Sequence, residues 1–587
     1  MTERDQNRRQ LEEGVDVLIV GGGINGAGLA RDLAMRGARV GLVEKDDWAC
    51  GTSSRSSRLI HGGLRYLEES YKSIRSGLLR LRIRQVTGGI RQIALVFESV
   101  SERYWMSRLS RNLVRPLPFV FPVLRGGRVP FWQMKAAVRL YDRLALFRNY
   151  RKHTELTPEG VAKLLPAIDA SLIEGAVFYY DYRTNDARLT LENVISAREH
   201  GAAVLSRARA IAPIIETEGR RRRISGAVLR DELTGKTFDA RASIVVSATG
   251  PWTDEALRAL GYAPSSQPLL RLTKGVHIVV PATKLPLAAA AAMTHPRDGR
   301  VLFAIPFHER SVLGTTDTDW KGAPGDVRVE SDDVDYLLEV AARYYPKANL
   351  GRADVISAWA GLRPLVNAAG LSESSVPREH KILRTPEGLI AIFGGKLTTY
   401  RRMVEELADV AADALHERTG RRLGPSTTRG APLPGADTLD TDRDLVALED
   451  HLVHRGGVSR LTARHLAESY GDNAPKLLDI ASLDPSERLR TPIYPDLPHI
   501  WAEIVWAARH EMALSLVDIL VRRTSLHYRA MDQGLSIAPI AASLMATELG
   551  WNAAQTKAET EAYEQFVATA RRWRDETATP VATRAAS

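Results

Sequence analysis

An apolar run at Val15–Val20 leads into Gly21, Gly23, Gly26 and Gly28, then LARDLAMRG at helical spacing, then a second apolar run, Val40–Val43, closed by Glu44. This order predicts strand, tight turn, helix and second strand. A second strand-turn-helix unit is predicted at SIVVSATGPWTDEAL, preceded by a helix and strands in TLENVISAREHGAAVLSRARAIAPIIE. GVHIVVPATK and GRVLFAIPFHERSVLGTTDTDW instead alternate apolar and polar positions, which predicts antiparallel strands of a second sheet. Dense glycine and proline at RLGPSTTRGAPLPGAD mark a linker, and helical patterns such as TARHLAESYG and EMALSLVDILVRR follow it. The expected class is α/β plus α+β. A Rossmann-like dinucleotide domain (14–90, 154–262 and 352–420) interleaves with an antiparallel-sheet, substrate- and membrane-facing domain (91–153 and 263–351). A helical C-terminal domain (421–575) and a disordered tail (576–587) complete the chain.

At 587 residues the chain exceeds one core, in keeping with several domains. Cys50 is its single cysteine, which excludes an intramolecular disulfide and suits a reducing cytoplasm. The polar N-terminus is no secretion signal, and LPLAAAAAM is too short to span a bilayer, so a soluble or surface-bound protein is expected. The net charge of +10 is unevenly spread. Between Arg103 and Lys152 lie twelve Arg or Lys residues with Asp142 as the only acid, among Trp105, Phe119, Phe121, Phe131, Trp132, Tyr141 and Phe147. Such a mixture suits an anionic lipid surface; a solvated basic face is the plainer alternative, and no nucleic-acid motif accompanies it. Asp440, Asp442 and Asp444 are no calcium loop, because Leu445 and His451 replace the required glycine and glutamate. No metal site is expected.

Gly21, Gly23 and Gly26 have the spacing of a dinucleotide fingerprint: a sharp turn, close backbone approach to a pyrophosphate, and close packing of helix on strand. Phosphate would sit at the helix N-terminus, and Glu44 would accept hydrogen bonds from an adenosine ribose. Residues 51–68, GTSSRSSRLIHGGLRYLE, supply hydroxyls at Thr52, Ser53 and Ser54, a Gly62–Gly63 pair that admits a planar ring, and His61, Arg65 and Tyr66 around it. An N-cap serine cluster is the alternative reading. Small residues at Ala248 and Gly250 leave room across the carboxyl edge of a strand. FGGKLTTYRRM places Gly395, Lys396, Leu397 and Thr398 before an amphipathic helix whose N-terminus favours negative charge, although Thr398 and Thr399 also serve as caps. Arg363, between apolar neighbours, invites a carboxylate or phosphate partner or else a structural ion pair. Asp317 and Asp319 carry no chemical role in this reading.

GGGINGAG, SSRSSRLIHGGLRYLE, NDARLTLEN, ATGPWTDE, KGVHIVVP, GTTDTDW, AGLRPL and FGGKLTTYR occur in the order found in FAD-dependent glycerol-3-phosphate dehydrogenases, and the chain resembles the aerobic, respiratory type over nearly its whole length. The resemblance implies FAD rather than NAD, oxidation of sn-glycerol 3-phosphate to dihydroxyacetone phosphate, a membrane quinone as acceptor, and a cytoplasmic enzyme held peripherally at the inner face of the cell membrane. A homodimer is compatible with it. Hydride would pass from substrate C2 to flavin N5 while His61 or His277 takes the hydroxyl proton, with His61 slightly favoured. Arg65, Tyr66 and Arg363 would orient the phosphate or hydroxyls, and Lys396 would serve flavin or substrate. Flavin oxidases of amines or amino acids, or of glycerol phosphate with oxygen, are the enzymatic alternatives; a non-catalytic nucleotide sensor is the other class.

Overall fold

The computed structural model describes residues 2–63, 83–127, 130–146, 148–219, 221–262, 267–367 and 380–576. Arg65, Tyr66, Arg128, Phe147 and the expected tail beyond Glu576 lie outside the described residues.

Val15–Val20 is buried along its whole length, as its continuous apolar run requires of a parallel strand covered on both faces. It lies between Thr237–Ser247 and Val40–Val43, and all three run parallel. Ile390–Gly394 and Ala203–Leu205 extend the parallel set on either side, and His380–Arg384 closes one edge antiparallel. The helix Ile24–Met35 packs its small residues, Ala27, Ala30 and Ala34, into the same core as Val17 and Ile19. A three-stranded antiparallel extension, Ala208–Glu218, Arg221–Asp231 and Thr237–Ser247, grows out of the central strand.

The second sheet runs Thr318–Trp320, Leu270–Pro281, Arg310–Gly314, Val301–Phe307, Ala290–Thr294, Arg115–Leu124, Ile173–Arg183 and Leu59–Ile60 in spatial order. Ser357–Val366 pairs with Leu270–Pro281 in a register that sets Arg363 beside Thr273, Gly361 beside Gly275 and Trp359 beside His277. Thr154–Leu156, Ile173–Arg183 and Ser357–Val366, which fall in ranges expected to belong to the dinucleotide domain, pair within this sheet. The apolar patterns of Ile173–Arg183 and Ser357–Val366 make them strands; only long-range pairing selects the sheet.

The C-terminal region is helical from Asp442–Gly456 to Ala553–Arg571. The linker before it is pinned, since Arg31 in the first long helix donates to the carbonyls of Ala431 and Pro432. Within EMALSLVDILVRR, expected as a regular helix, Asp518–Arg523 forms a π-helical turn, with Thr524 N–H donating to the Ile519 carbonyl. From that widened turn the consecutive residues Arg522 and Arg523 both reach the buried Asp47. Arg523 binds it with both terminal nitrogens, at 2.7 and 2.8 Å. Burial opposes the charge on Asp47, but Arg523 and Arg522 outweigh it and hold its carboxyl well below the usual range. Glu576 also accepts a hydrogen bond from Ser331 N–H, so the ordered chain reaches into the expected tail.

Breaking one partner out of such a buried group leaves charge uncompensated. Asp47→Asn should cost about 3–5 kcal/mol of stability, read from denaturant unfolding of the purified protein, and an unchanged midpoint would show that the two arginines find other partners.

Candidate active site

The two sheets meet at a cavity of about 540 Å³, within the range of small-molecule and cofactor sites. Its floor is the carboxyl edge of the parallel sheet, lined by Val20 at the end of one strand and by Glu44 and Ala248 just past the ends of two others. Gly21, at φ +112°, makes the turn; a Cβ there would lie 2.7 Å from the Ala248 carbonyl oxygen. Gly26 does not line the cavity but lets the helix sit on the turn, because its Cβ would fall 1.8 Å from the Gly21 oxygen. At the helix N-terminus Gly23 lines the space, and the Ile24 N–H donates to Ser53 Oγ at 2.9 Å. Glu44 accepts from the N–H groups of Gly22 (2.7 Å) and Asp46 (2.9 Å), while burial pushes its carboxyl upward.

Of the other residues singled out in the sequence, Thr52, Ser53, His61, Ala248, Gly250, His277, Arg363, Gly395, Lys396, Leu397 and Thr398 all line this one cavity. Ser54, Gly62 and Gly63 do not. Gly62 is glycine for a different reason from the ring approach expected of it. A Cβ would lie 2.3 Å from Tyr141 Oη, and its N–H donates to that same hydroxyl at 2.9 Å. Tyr141 in turn donates to Asp181, which pairs with the buried Arg103. Arg103, Phe119 and Tyr141 are thus core residues, not the lipid-facing ones their segment suggested.

The wall opposite the dinucleotide turn comes from the second sheet. Arg363 folds over Gly275, whose Cβ would meet its guanidinium at 2.4 Å. It donates to Asp317 (2.9 Å), to Thr315 Oγ1 (3.0 Å) and to the Thr316 carbonyl (3.2 Å). Asp317, given no role from sequence, orients this arginine. His277 is fully enclosed, stacked on Trp359 at 4.9 Å and 14°, with Nε2 2.8 Å from Ser57 Oγ. Its Nδ1 is buried without a hydrogen-bond partner among the described residues. Burial, reinforced by Arg363 and Arg58, pushes this imidazole down to about 3. His61 is anchored through its backbone, which exchanges hydrogen bonds with Thr398 Oγ1. Arg55, Ser57 and Trp252 also line the cavity, with Lys45 held 4.1 Å over the Trp252 ring. Arg55 stands alone among hydroxyls in TSSRSS and Trp252 ends the ATGPW turn; a charged or bulky residue inside a small-residue motif was the available signal.

Elsewhere, buried His465, His499 and Glu503 bring potential ligand atoms within 4.8 Å of one another. Glu503 is spent on Tyr470, His465 and the Ile500 N–H, and Arg529 lies 3.2 Å from His499, so the group is a hydrogen-bond network in a cationic setting rather than a cation site.

A parallel sheet with a glycine turn, an acidic second strand and a facing antiparallel wall defines a dinucleotide-dependent oxidoreductase, and a family model described as FAD dependent oxidoreductase matches residues 16–457. A second, described as the C-terminal domain of alpha-glycerophosphate oxidase, matches residues 426–556. Aerobic glycerol-3-phosphate dehydrogenases of Staphylococcus saprophyticus and Staphylococcus epidermidis are each 32% identical, covering 96% and 98% of this chain and 95% and 99% of their own. The chain belongs to this family of FAD-dependent aerobic glycerol-3-phosphate dehydrogenases. Among solved structures, the glycerol-3-phosphate dehydrogenase from Bacillus halodurans complexed with FAD superposes with a TM-score of 0.76 at 27% identity, covering 98% of this chain and all of that one. L-alpha-glycerophosphate oxidase from Mycoplasma pneumoniae, at 16% identity and a TM-score of 0.51 over 72% of this chain and 99% of its own, shares the fold.

Between about pH 6.5 and 3 an unfolded chain binds a proton that the folded His277 site refuses, so stability falls as pH drops through that window. His277→Asn should therefore flatten the loss of thermal stability between pH 7 and pH 5; an identical slope in the variant would show that His277 is not held neutral.

Proposed function

We propose that the chain oxidises sn-glycerol 3-phosphate to dihydroxyacetone phosphate with FAD in the two-sheet cavity, and passes the electrons to a membrane quinone from a peripheral position on the inner face of the cell membrane. The observation that carries this reading is that Arg363, Lys396, His61 and His277 share one cavity with the dinucleotide turn. The names of the relatives supply the substrate, and the FAD complex of the Bacillus halodurans protein supports the cofactor.

The cavity suits that cofactor. Gly21, Gly23 and the N-terminus of Ile24–Met35 would hold a pyrophosphate, with Ser53 beside it and Glu44 on the ribose. Gly395, Lys396, Leu397 and Thr398, ahead of the helix Tyr400–Thr419, would hold the ring end. Bound FAD supplies the acceptor for the hydride that leaves substrate C2.

The chain's own groups then divide the remaining work. Arg363, aimed by Asp317 and Thr315, presents a planar fork to the phosphate, and Lys396 adds a second positive charge. Arg65 and Tyr66 keep a proposed share in orienting the substrate. His61 takes the C2 hydroxyl proton, because His277 holds a proton only near pH 3 and is a weak acceptor at neutral pH. His277 instead stays neutral and fixes the Ser57 hydroxyl at the cavity wall.

Anaerobic addition of sn-glycerol 3-phosphate should bleach the oxidised flavin bands; bands that persist would reject the substrate in favour of an amine or amino acid. Arg363→Ala should raise KM by roughly thirty-fold, equivalent to about 2 kcal/mol, with flavin retained, and Arg363→Lys should recover only part of it. In the same series the acid limb of kcat/KM should vanish in His61→Gln and survive in His277→Asn, and the reverse pattern would exchange their roles.

The membrane part of the proposal rests on the flank from Ile90 to Lys152. Six of the thirteen exposed large hydrophobic residues among the described residues fall there: Ile90, Phe97, Trp132, Leu140, Leu146 and Tyr150. Ile90 and Phe97 share one face of the helix Ile83–Leu109, and Trp132 and Leu140 one side of Phe131–Leu144. Exposed Arg125, Arg139, Arg143, Arg151 and Lys152 surround them. Arg111 and Arg115 instead pair with Asp442 of the C-terminal region. No helix among the described residues is long and apolar enough to cross a membrane. Replacing Arg125, Arg139 and Arg151 together by Glu should weaken sedimentation with phosphatidylglycerol vesicles by about tenfold at low salt. Undiminished binding would reduce the flank to a solvated basic face.

A further inference from the structure

A second hollow, of about 60 Å³, lies where the C-terminal helices meet the strands Ile173–Arg183 and Val301–Phe307, and shares no lining residue with the main cavity. Five arginines line it, Arg58, Arg115, Arg183, Arg523 and Arg529, against a single acid, Glu468. Arg183 and His308 stand at its accessible rim, while Arg58, Arg523, Ser525 and Arg529 form a buried floor.

Carboxylates hold most of these arginines from one side: Glu468 for Arg183 at 2.9 Å, Asp442 for Arg115, Asp47 for Arg523 and Glu309 for Arg529. Neutralisation is incomplete at two of them. Asp186 comes no closer to Arg58 than 3.7 Å, and burial pushes that carboxyl upward. At Arg529 burial outweighs Glu309 and pulls the guanidinium below its ordinary value, which marks a cation short of negative charge. Hydrogen bonding shows the same deficit. The Nε atoms of Arg58 and Arg529, both amide atoms of Asn112 and Oγ1 of Thr184 all belong to lining residues, are buried, and have no partner among the described residues. Each unmet buried donor costs about 1–3 kcal/mol, and five arginines against one acid give the hollow itself a lining suited to an anion. The hollow has room for several waters or one tetrahedral anion.

We propose that this hollow is a second binding site for a phosphate-class oxoanion, either inorganic phosphate or the phosphate end of a phosphorylated metabolite. Arginine forks and hydroxyls are the groups that recognise such an anion. Arg58 also connects the hollow to the active site: its guanidinium packs on Phe307 at 4.7 Å, Trp359 at 5.5 Å and Tyr528 at 5.4 Å, and Trp359 is the ring stacked on His277. An occupant that steadies Arg58 therefore stiffens the support of the catalytic wall.

Two measurements on the flavin-loaded enzyme test this. In crystals soaked with selenate, a tetrahedral dianion, an anomalous peak is expected between Arg58, Arg183 and Arg529. A peak confined to the main cavity, or only water in the hollow, overturns the proposal. In solution, phosphate should raise Tm more than chloride at equal ionic strength. Arg183→Gln, a rim change, should weaken that response about tenfold while leaving kcat and KM without phosphate unchanged. A response kept in Arg183→Gln but lost in Arg363→Ala would place all phosphate binding in the main cavity and overturn the second site. Repeating the titration with glucose 6-phosphate separates the two sources: a response to phosphate alone supports a free anion, and a response to both supports a phosphorylated metabolite.

Discussion

A buried carboxylate held by two buried arginines joins the distant parts of this chain. Asp47 belongs to the loop that leaves the second parallel strand, and Arg522 and Arg523 to the C-terminal helices almost five hundred residues later. Three charges without access to water are tolerable only in one another's company, so the two regions cannot separate without exposing or orphaning charge. The rest of that loop is tied down as tightly. Glu44 accepts from Gly22, Ser53 from Ile24, and Thr52 donates to the Leu362 carbonyl in the second sheet. Ser56 reaches Asp186, Ser57 meets His277, and His61 meets Thr398. Residues 44–62 are therefore the piece on which both sheets and the C-terminal helices are aligned, and the cavity lies along it.

That arrangement explains how one wall can be strongly cationic while the histidine within it stays neutral. Burial, together with the nearby charges of Arg363 and Arg58, suppresses protonation of His277. The ring is held neutral between a stacked tryptophan and the Ser57 hydroxyl. The C-terminal region takes part as well: Tyr528 packs edge-on against Trp359 at 5.1 Å, so residues remote in sequence support the ring behind that wall.

Features set by neighbours in the chain were readable from the chain. The spacing of Gly21, Gly23, Gly26 and Glu44 and the strand-turn-helix order around them depend on local steric and hydrogen-bonding rules, which is why the turn, its helix and the residues along the parallel edge stand where their pattern put them. The alternating runs of the second sheet were legible as strands for the same reason. Gly62 shows where that reasoning stops. Its lack of a side chain answers to Tyr141, seventy-nine residues on, and no local pattern distinguishes that demand from room for a ligand.

The amino-acid order by itself therefore determined the dinucleotide turn, the strand and helix periods, and the set of polar residues available for chemistry, because each follows from contacts a few residues long. Tertiary structure decided the rest. It chose the sheet that Ile173–Arg183 and Ser357–Val366 join, paired Asp317 with Arg363, and widened a helical turn so that two adjacent arginines share Asp47. Those outcomes depend on which buried charges and unmet donors meet in space, and desolvation makes such meetings decisive only once the chain has closed around them.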